Sequence, residues 1–111
     1  MPSWAEVVEF LKGFKARANE SGLEFRDRDK NIAELAYHGF HTHQVIQIIN
    51  QLTPRSYSQG PMQDEDGTQG NVWVFGVILE SQQIYIKLKL TTEAECISFH
   101  RAEREMRFPF A

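Results

Sequence analysis

Tyr85, Lys87, Lys89, Ser98 and His100 recur at alternate positions of two neighbouring segments, and their types suit phosphodiester chemistry. Gln83 to Leu90 alternates strictly, with Ile84, Ile86, Leu88 and Leu90 in one set and Tyr85, Lys87 and Lys89 in the other. Ala94 to His100 alternates too, which predicts Ile97 and Phe99 inward and Cys96, Ser98 and His100 outward. Strand side chains point to opposite faces at period two, so if the aliphatic sets share a core the polar sets share the other face. Metal-free RNA cleavage needs a base for the 2′-OH proton, an acid for the departing 5′-oxygen and cations beside the phosphorane oxygens. Histidine serves either proton transfer near neutral pH, and lysine supplies charge. Arg101, Arg104 and Arg107 follow directly and are candidates to hold flanking phosphates. An ordinary solvated sheet face has a similar composition, so the pattern alone leaves both readings open.

Other reactive residue types have simpler explanations. Cys96 is the lone cysteine and needs an activating base to act as a nucleophile; a small side chain on a sheet is the plainer reading. His38, His41 and His43 straddle Gly39, so they need not converge as zinc ligands must, and His38 suits a helix C-terminus. No metal and no cofactor is expected. Trp73 and Phe75 share one face of a strand and read as core, whereas Tyr57, in a loop, is the candidate for stacking on an unpaired base. Asp64-Glu65-Asp66 reads as a solvated acidic loop.

The elements that must position these residues are readable from periodicity. Ser3 and Glu6 form a capping box, and Trp4, Val7, Val8, Leu11 and Phe14 then recur at helical spacing until Gly22. A short extended piece spans Leu23 to Arg26. A second helix is predicted over Asp29–His38, with Ile32, Leu35 and Ala36 inward, and a third starts with Thr42 as N-cap. Val45, Ile48, Ile49 and Leu52 share a face of that third helix, which Pro54 ends. Residues 54–71 lose periodicity and read as a long loop. Val72 to Leu79 is apolar on both faces, as a central strand should be, and short connections near Ser81 and Thr92 predict an antiparallel meander. Helices first and strands after give an α+β fold, the N-terminal helices packed on a C-terminal antiparallel sheet.

Composition sets the frame. The chain has 111 residues, enough for one domain over 1–111, with 41% hydrophobic and 24% charged residues. It contains no apolar run of membrane-spanning length, and no basic-then-apolar leader opens it, so the expected compartment is the cytoplasm. The formal net charge is −3, and the whole excess comes from Asp64, Glu65 and Asp66. A basic patch therefore has to be assembled by folding.

Ile84-Tyr85-Ile86-Lys87-Leu88 leading into Ile97-Ser98-Phe99-His100 resembles the closing strands of the MqsR family. The resemblance extends back through Trp73, Gly60-Pro61 and Tyr57 to the segment Arg26 to Leu52, and covers about residues 10 to 100. It implies a bacterial type II toxin with a RelE-like fold, an mRNA interferase that binds RNA and cuts it without a metal. It also implies a cognate antitoxin as partner, with any oligomer formed through that antitoxin, and no membrane role. Of the family's proposed site, the strand tyrosine is retained as Tyr85. His100 stands at its C-terminal lysine position, Val74 at its glutamine position and Ser58 at its loop lysine position, with Gln59 and Lys87 the nearest replacements. From the residues and the resemblance together, His100, Tyr85 and Lys87 are the catalytic candidates, with Tyr57, Gln59, Lys89, Arg101 and Arg104 on the substrate. A non-catalytic protein-interaction module that keeps the fold is the alternative.

Overall fold

The computed structural model describes residues 1–26 and 28–111. In chain order it has α1 (Trp4–Ser21), β1 (Leu23–Phe25), α2 (Asp29–His38), α3 (Thr42–Asn50) and a 3-10 turn at Pro54–Ser56. The strands β2 (Tyr57–Gln63), β3 (Asn71–Leu79), β4 (Gln82–Leu90) and β5 (Ala94–Arg101) follow. The fold is α+β, as expected. The sheet is mixed rather than wholly antiparallel: its order is β1-β5-β4-β3-β2, and β1 lies parallel to β5.

The capping box starts α1 as its sequence requires, with Glu6 N–H donating to Ser3 Oγ at 3.1 Å and Ser3 N–H to Glu6 Oε1 at 3.0 Å. Val7, Leu11, Phe14 and Ala18 of α1 then pack with Val45 and Ile49 of α3 and with Phe75, Ile84, Ile86, Leu88 and Phe99 of the sheet. Phe10 stacks on Trp73 at 4.6 Å, which closes the core on the β3 side. Trp73 and Phe75 are thus core residues, and Trp4 and Val8, at the rim of the α1 stripe, remain exposed. The N-cap of α3 is His41, one residue earlier than expected, and its N–H donates to Gln44 Oε1.

α2 departs from its predicted orientation. Its buried side chains are Asn31 and Glu34, whereas Ile32 is 53% exposed and Ala36 is exposed as well. The reason is the sheet edge. β1 ends at Phe25, opposite Cys96, and beyond it the outer edge of β5 pairs with no strand among the described residues. α2 lies along that edge and supplies the missing partners from side chains. Asn31 Nδ2 donates to the Ile97 carbonyl at 2.9 Å, Asn31 Oδ1 accepts from Phe99 N–H at 2.8 Å, and Glu34 Oε1 accepts from Arg101 N–H at 3.0 Å. A helix on a sheet edge must bury polar groups, because edge N–H and C=O groups left without partners are costly.

Residues 54–71 are not a loop throughout: a 3-10 turn opens the stretch, and β2 (Tyr57–Gln63) follows and pairs antiparallel with β3. Gly60 sits at φ 109°, and a Cβ there would meet the Val72 carbonyl oxygen at 2.6 Å, so β2 approaches β3 closely only because this residue is glycine. The acidic triplet is not simply solvated either. Asp64 is 4% exposed and pairs with Lys89 at 2.9 Å and Arg26 at 3.2 Å, which ties the β2–β3 connection down onto the sheet. Burial would raise the Asp64 carboxyl, but these two cations outweigh it and hold the group well below the usual carboxylate range.

Candidate active site

The outer face of the sheet, away from α1 and α3, carries the candidate chemistry. β4 and β5 pair antiparallel with Tyr85 opposite His100 and Lys87 opposite Ser98, which puts all four side chains on one face. The Tyr85 and His100 rings stack with centroids 5.4 Å apart and planes 14° from parallel. Lys87 Nζ lies 6.0 Å from the Tyr85 ring centroid and 3.6 Å from Glu65 Oε1. His100 Nδ1 is 2.9 Å from the Arg101 carbonyl oxygen. A carbonyl only accepts, so Nδ1 carries the proton and neutral His100 keeps a free lone pair on Nε2. Burial pushes the Tyr85 hydroxyl above its ordinary value, Glu65 adds to the rise and Arg28 opposes it. Tyr85 therefore stays a neutral phenol, a donor, at physiological pH.

Two segments frame this patch. The anchored β2–β3 connection covers the Lys89 end and brings Glu65 to Lys87. The C-terminal segment 102–111 crosses the other end: Ala102 N–H donates to the Gln83 carbonyl at 2.8 Å and Met106 N–H to Gln83 Oε1 at 3.1 Å. Ser58 Oγ donates to the Arg107 carbonyl at 2.6 Å. Between the two segments lies an open groove of about 790 Å³, within the size range of ligand clefts. Its lining includes Tyr85, Lys87, Ser98 and His100, joined by Gln59 from β2 and Arg28 from the start of α2. A smaller cavity of about 250 Å³, beside Arg17, Glu24 and Glu93, contains none of the candidate residues.

Of the residues singled out from sequence, His100, Tyr85, Lys87, Gln59 and Arg104 all line the groove. Three do not. Tyr57 is 3% exposed on the helix side of the sheet, with its hydroxyl donating to the Gly60 carbonyl and its ring edge-on to Trp73, so it presents no face to a base. Lys89 is buried under the β2–β3 connection, its ammonium held by Asp64 and by Thr68 Oγ1 at 2.6 Å. Arg101 turns to the helix side, where its guanidinium lies 4.2 Å from the Tyr37 ring centroid and its Nε 3.4 Å from Glu34.

The β5 parity explains part of this. Lys87 pairs with Ser98 but Leu88 pairs with Cys96, so Ile97 is the extra residue of a bulge. Cys96 consequently faces the core instead of the groove, where burial pushes its thiol far up and Sγ lies 3.4 Å from the Ser98 carbonyl oxygen. Its environment is that of a packing residue. His38 Nε2 pairs with Glu34 at 2.7 Å while His41 and His43 stack on each other, and among the described residues no three His, Cys, Asp or Glu side chains converge as metal ligands do. Among the described residues, no helix is long and apolar enough to cross a membrane.

Arg28 was missed from sequence, and so was the packing of the C-terminal segment as a wall, although its Arg104 and Arg107 were candidates and both line the groove. Arg28 carries no motif, and it reaches the groove only because α2 lies along the β5 edge. Apolar residues at alternate positions Met106, Phe108 and Phe110 were the available sign that the C-terminal segment packs in extended form.

No curated protein and no solved structure matches the chain significantly. A family model does match, over residues 9–101, and its description is "Motility quorum-sensing regulator, toxin of MqsA". That span takes in every helix but the first turns of α1, every strand, and the Tyr85–His100 pair at the centre of the groove. The chain belongs to the MqsR toxin family, the toxins of toxin–antitoxin pairs.

Proposed function

We propose that this toxin is a metal-independent endoribonuclease that cleaves messenger RNA by 2′-OH attack. The observation that carries the reading is the stacked His100–Tyr85 pair beside Lys87 at the floor of one groove. His100 Nε2 takes the 2′-OH proton, O2′ bonds to phosphorus and the P–O5′ bond breaks. The departing O5′ receives a proton from the Tyr85 hydroxyl, leaving a 2′,3′-cyclic phosphate and a 5′-hydroxyl end. Solvent then returns a proton to Tyr85 and removes one from His100. The Lys87 ammonium neutralises the phosphorane oxygens once the phosphate displaces Glu65 from it. Gln59 and Arg104 contact the bound strand. A cognate antitoxin protein, co-produced in the cytoplasm, neutralises the enzyme.

Ser58 and Val74 are not catalytic in this scheme: Ser58 Oγ holds the Arg107 carbonyl, and Val74 is fully buried between Gln59 and Lys87 in the sheet. The test is incubation of antitoxin-free protein with defined single-stranded RNAs in EDTA, beside the His100→Ala variant. Cleavage by the native protein alone is expected. No cleavage of several RNAs by folded protein would replace this reading with that of a non-catalytic interaction module.

A further inference from the structure

We propose that the C-terminal segment 102–111 is part of the substrate site, a fixed wall whose Arg104 and Arg107 act with Arg28 to bind phosphates flanking the scissile one on a single RNA strand. This rests on the endoribonuclease reading and extends it to how the strand is held. Of the fifteen described residues that line the groove, seven come from this segment. The family match ends at residue 101, so the wall lies outside the part of the chain matched to the family.

A segment beyond the last strand ordinarily frays unless it is tied down. This one is tied at every second residue. Met106 and Phe108 lie against Gly76, where an added Cβ would come within 2.9 Å of Met106 Sδ and 2.8 Å of the Phe108 ring, and Phe110 meets Trp4 edge-on at 5.7 Å. Phe110 also packs on Tyr57 at 5.7 Å. Arg107 and Pro109, between these anchors, line the groove.

Charge supports a polyanion as the occupant. The groove's cations are Arg28, Lys87, Arg104 and Arg107, and its carboxylates are Glu65, Glu103 and Glu105. Glu103 is already paired to Lys30 and Glu65 to Lys87, which leaves three arginines against the single carboxylate of Glu105 along the groove among groups outside the described ion pairs. Arginine pairs geometrically with phosphate, and a groove of this size admits a few nucleotides of one strand but no duplex.

The experiment measures binding of a 2′-O-methyl oligonucleotide, which keeps the phosphates but cannot be cut, as a function of salt. Each phosphate contact on a single strand contributes about 0.7 to the slope of log K against log salt. Arg28→Gln and Arg104→Gln are each expected to lower the slope by about 0.7 and affinity about fivefold at 0.1 M salt. Both should raise KM and leave kcat unchanged. Phe108→Ala, checked for an intact thermal transition, should reproduce the Arg104 loss by freeing the wall, while Lys12→Gln on the far side of α1 should change nothing. Slopes equal to the native one in the arginine variants would overturn the wall and leave the endoribonuclease reading standing. Native protein that neither binds nor cuts RNA would overturn both.

Discussion

His100 owes its place in the site to a single hydrogen bond as much as to its strand parity. With Nδ1 bound to the Arg101 carbonyl, Nε2 is the ring nitrogen the proposed mechanism uses to exchange a proton with substrate. His100→Ala is expected to lower the cleavage rate by about 10²-fold or more, the usual scale of a lost proton-transfer group. Tyr85 makes a different demand on pH. Its hydroxyl is raised by burial and by Glu65, so the donor survives beyond the free tyrosine value of about 10. As the proposed mechanism requires its proton, activity should fall on the alkaline side only above that value. Tyr85→Phe should lower kcat and abolish that alkaline limb, as read from a pH–rate profile. An unchanged limb would assign the acid elsewhere. Period-two arithmetic brought Tyr85, Lys87 and His100 to one face from sequence. The same arithmetic puts Arg101 with Phe99 on the helix side, where it lies, whereas the Cys96 position needed knowledge of the bulge at Ile97, which leaves no mark in the residue types.

At the scale of elements, the two departures from simple periodicity support the site. α2 buries Asn31 and Glu34 in place of its apolar residues because its neighbour is a strand edge and not a sheet face. Asn31→Ala leaves the Phe99 N–H and Ile97 carbonyl without those partners, and is expected to cost about 1–3 kcal/mol in urea unfolding. The β2–β3 connection depends on Asp64 in the same way. Its folded carboxyl is depressed by Arg26 and Lys89, so its stabilisation is present above the unfolded value of about 3.9 and is lost as pH falls through the folded one. Asp64→Asn should therefore destabilise at pH 7, by about 3 kcal/mol on the scale of broken buried pairs. The loss should shrink toward pH 2, which thermal unfolding across pH would show. Helix and strand boundaries were largely readable from caps and alternation. β2 was not, because Gly60-Pro61 and two register shifts erase the alternation that marks a strand.

At the scale of the whole molecule, the candidate site is a product of topology. Arg28 precedes α2 and Arg104 follows β5, yet both line one groove, although the chain carries a net charge of −3. Bulk charge could not reveal this, since each basic residue sits among acidic neighbours in sequence. The acidic connection also presents Glu65, 80% exposed at its side chain, to the buried Lys87 ammonium. In the proposed mechanism Glu65 is thus a competing anion at the position the phosphate takes. Glu65→Gln is expected to strengthen RNA binding several-fold without loss of stability, as titration with a non-cleavable oligonucleotide would show. Weaker binding would make Glu65 a contributor to the site.

The central claim is that a His100-centred site turns the RNA's own 2′-hydroxyl into the nucleophile. The most direct test maps the cleaved linkage in a defined RNA and then replaces the 2′-OH at that one nucleotide by hydrogen, with EDTA present throughout. Cleavage of the parent RNA to 2′,3′-cyclic phosphate ends, with the deoxy-substituted linkage left intact, is the result expected. Cutting at the substituted linkage, or ends without cyclic phosphate, would contradict the account.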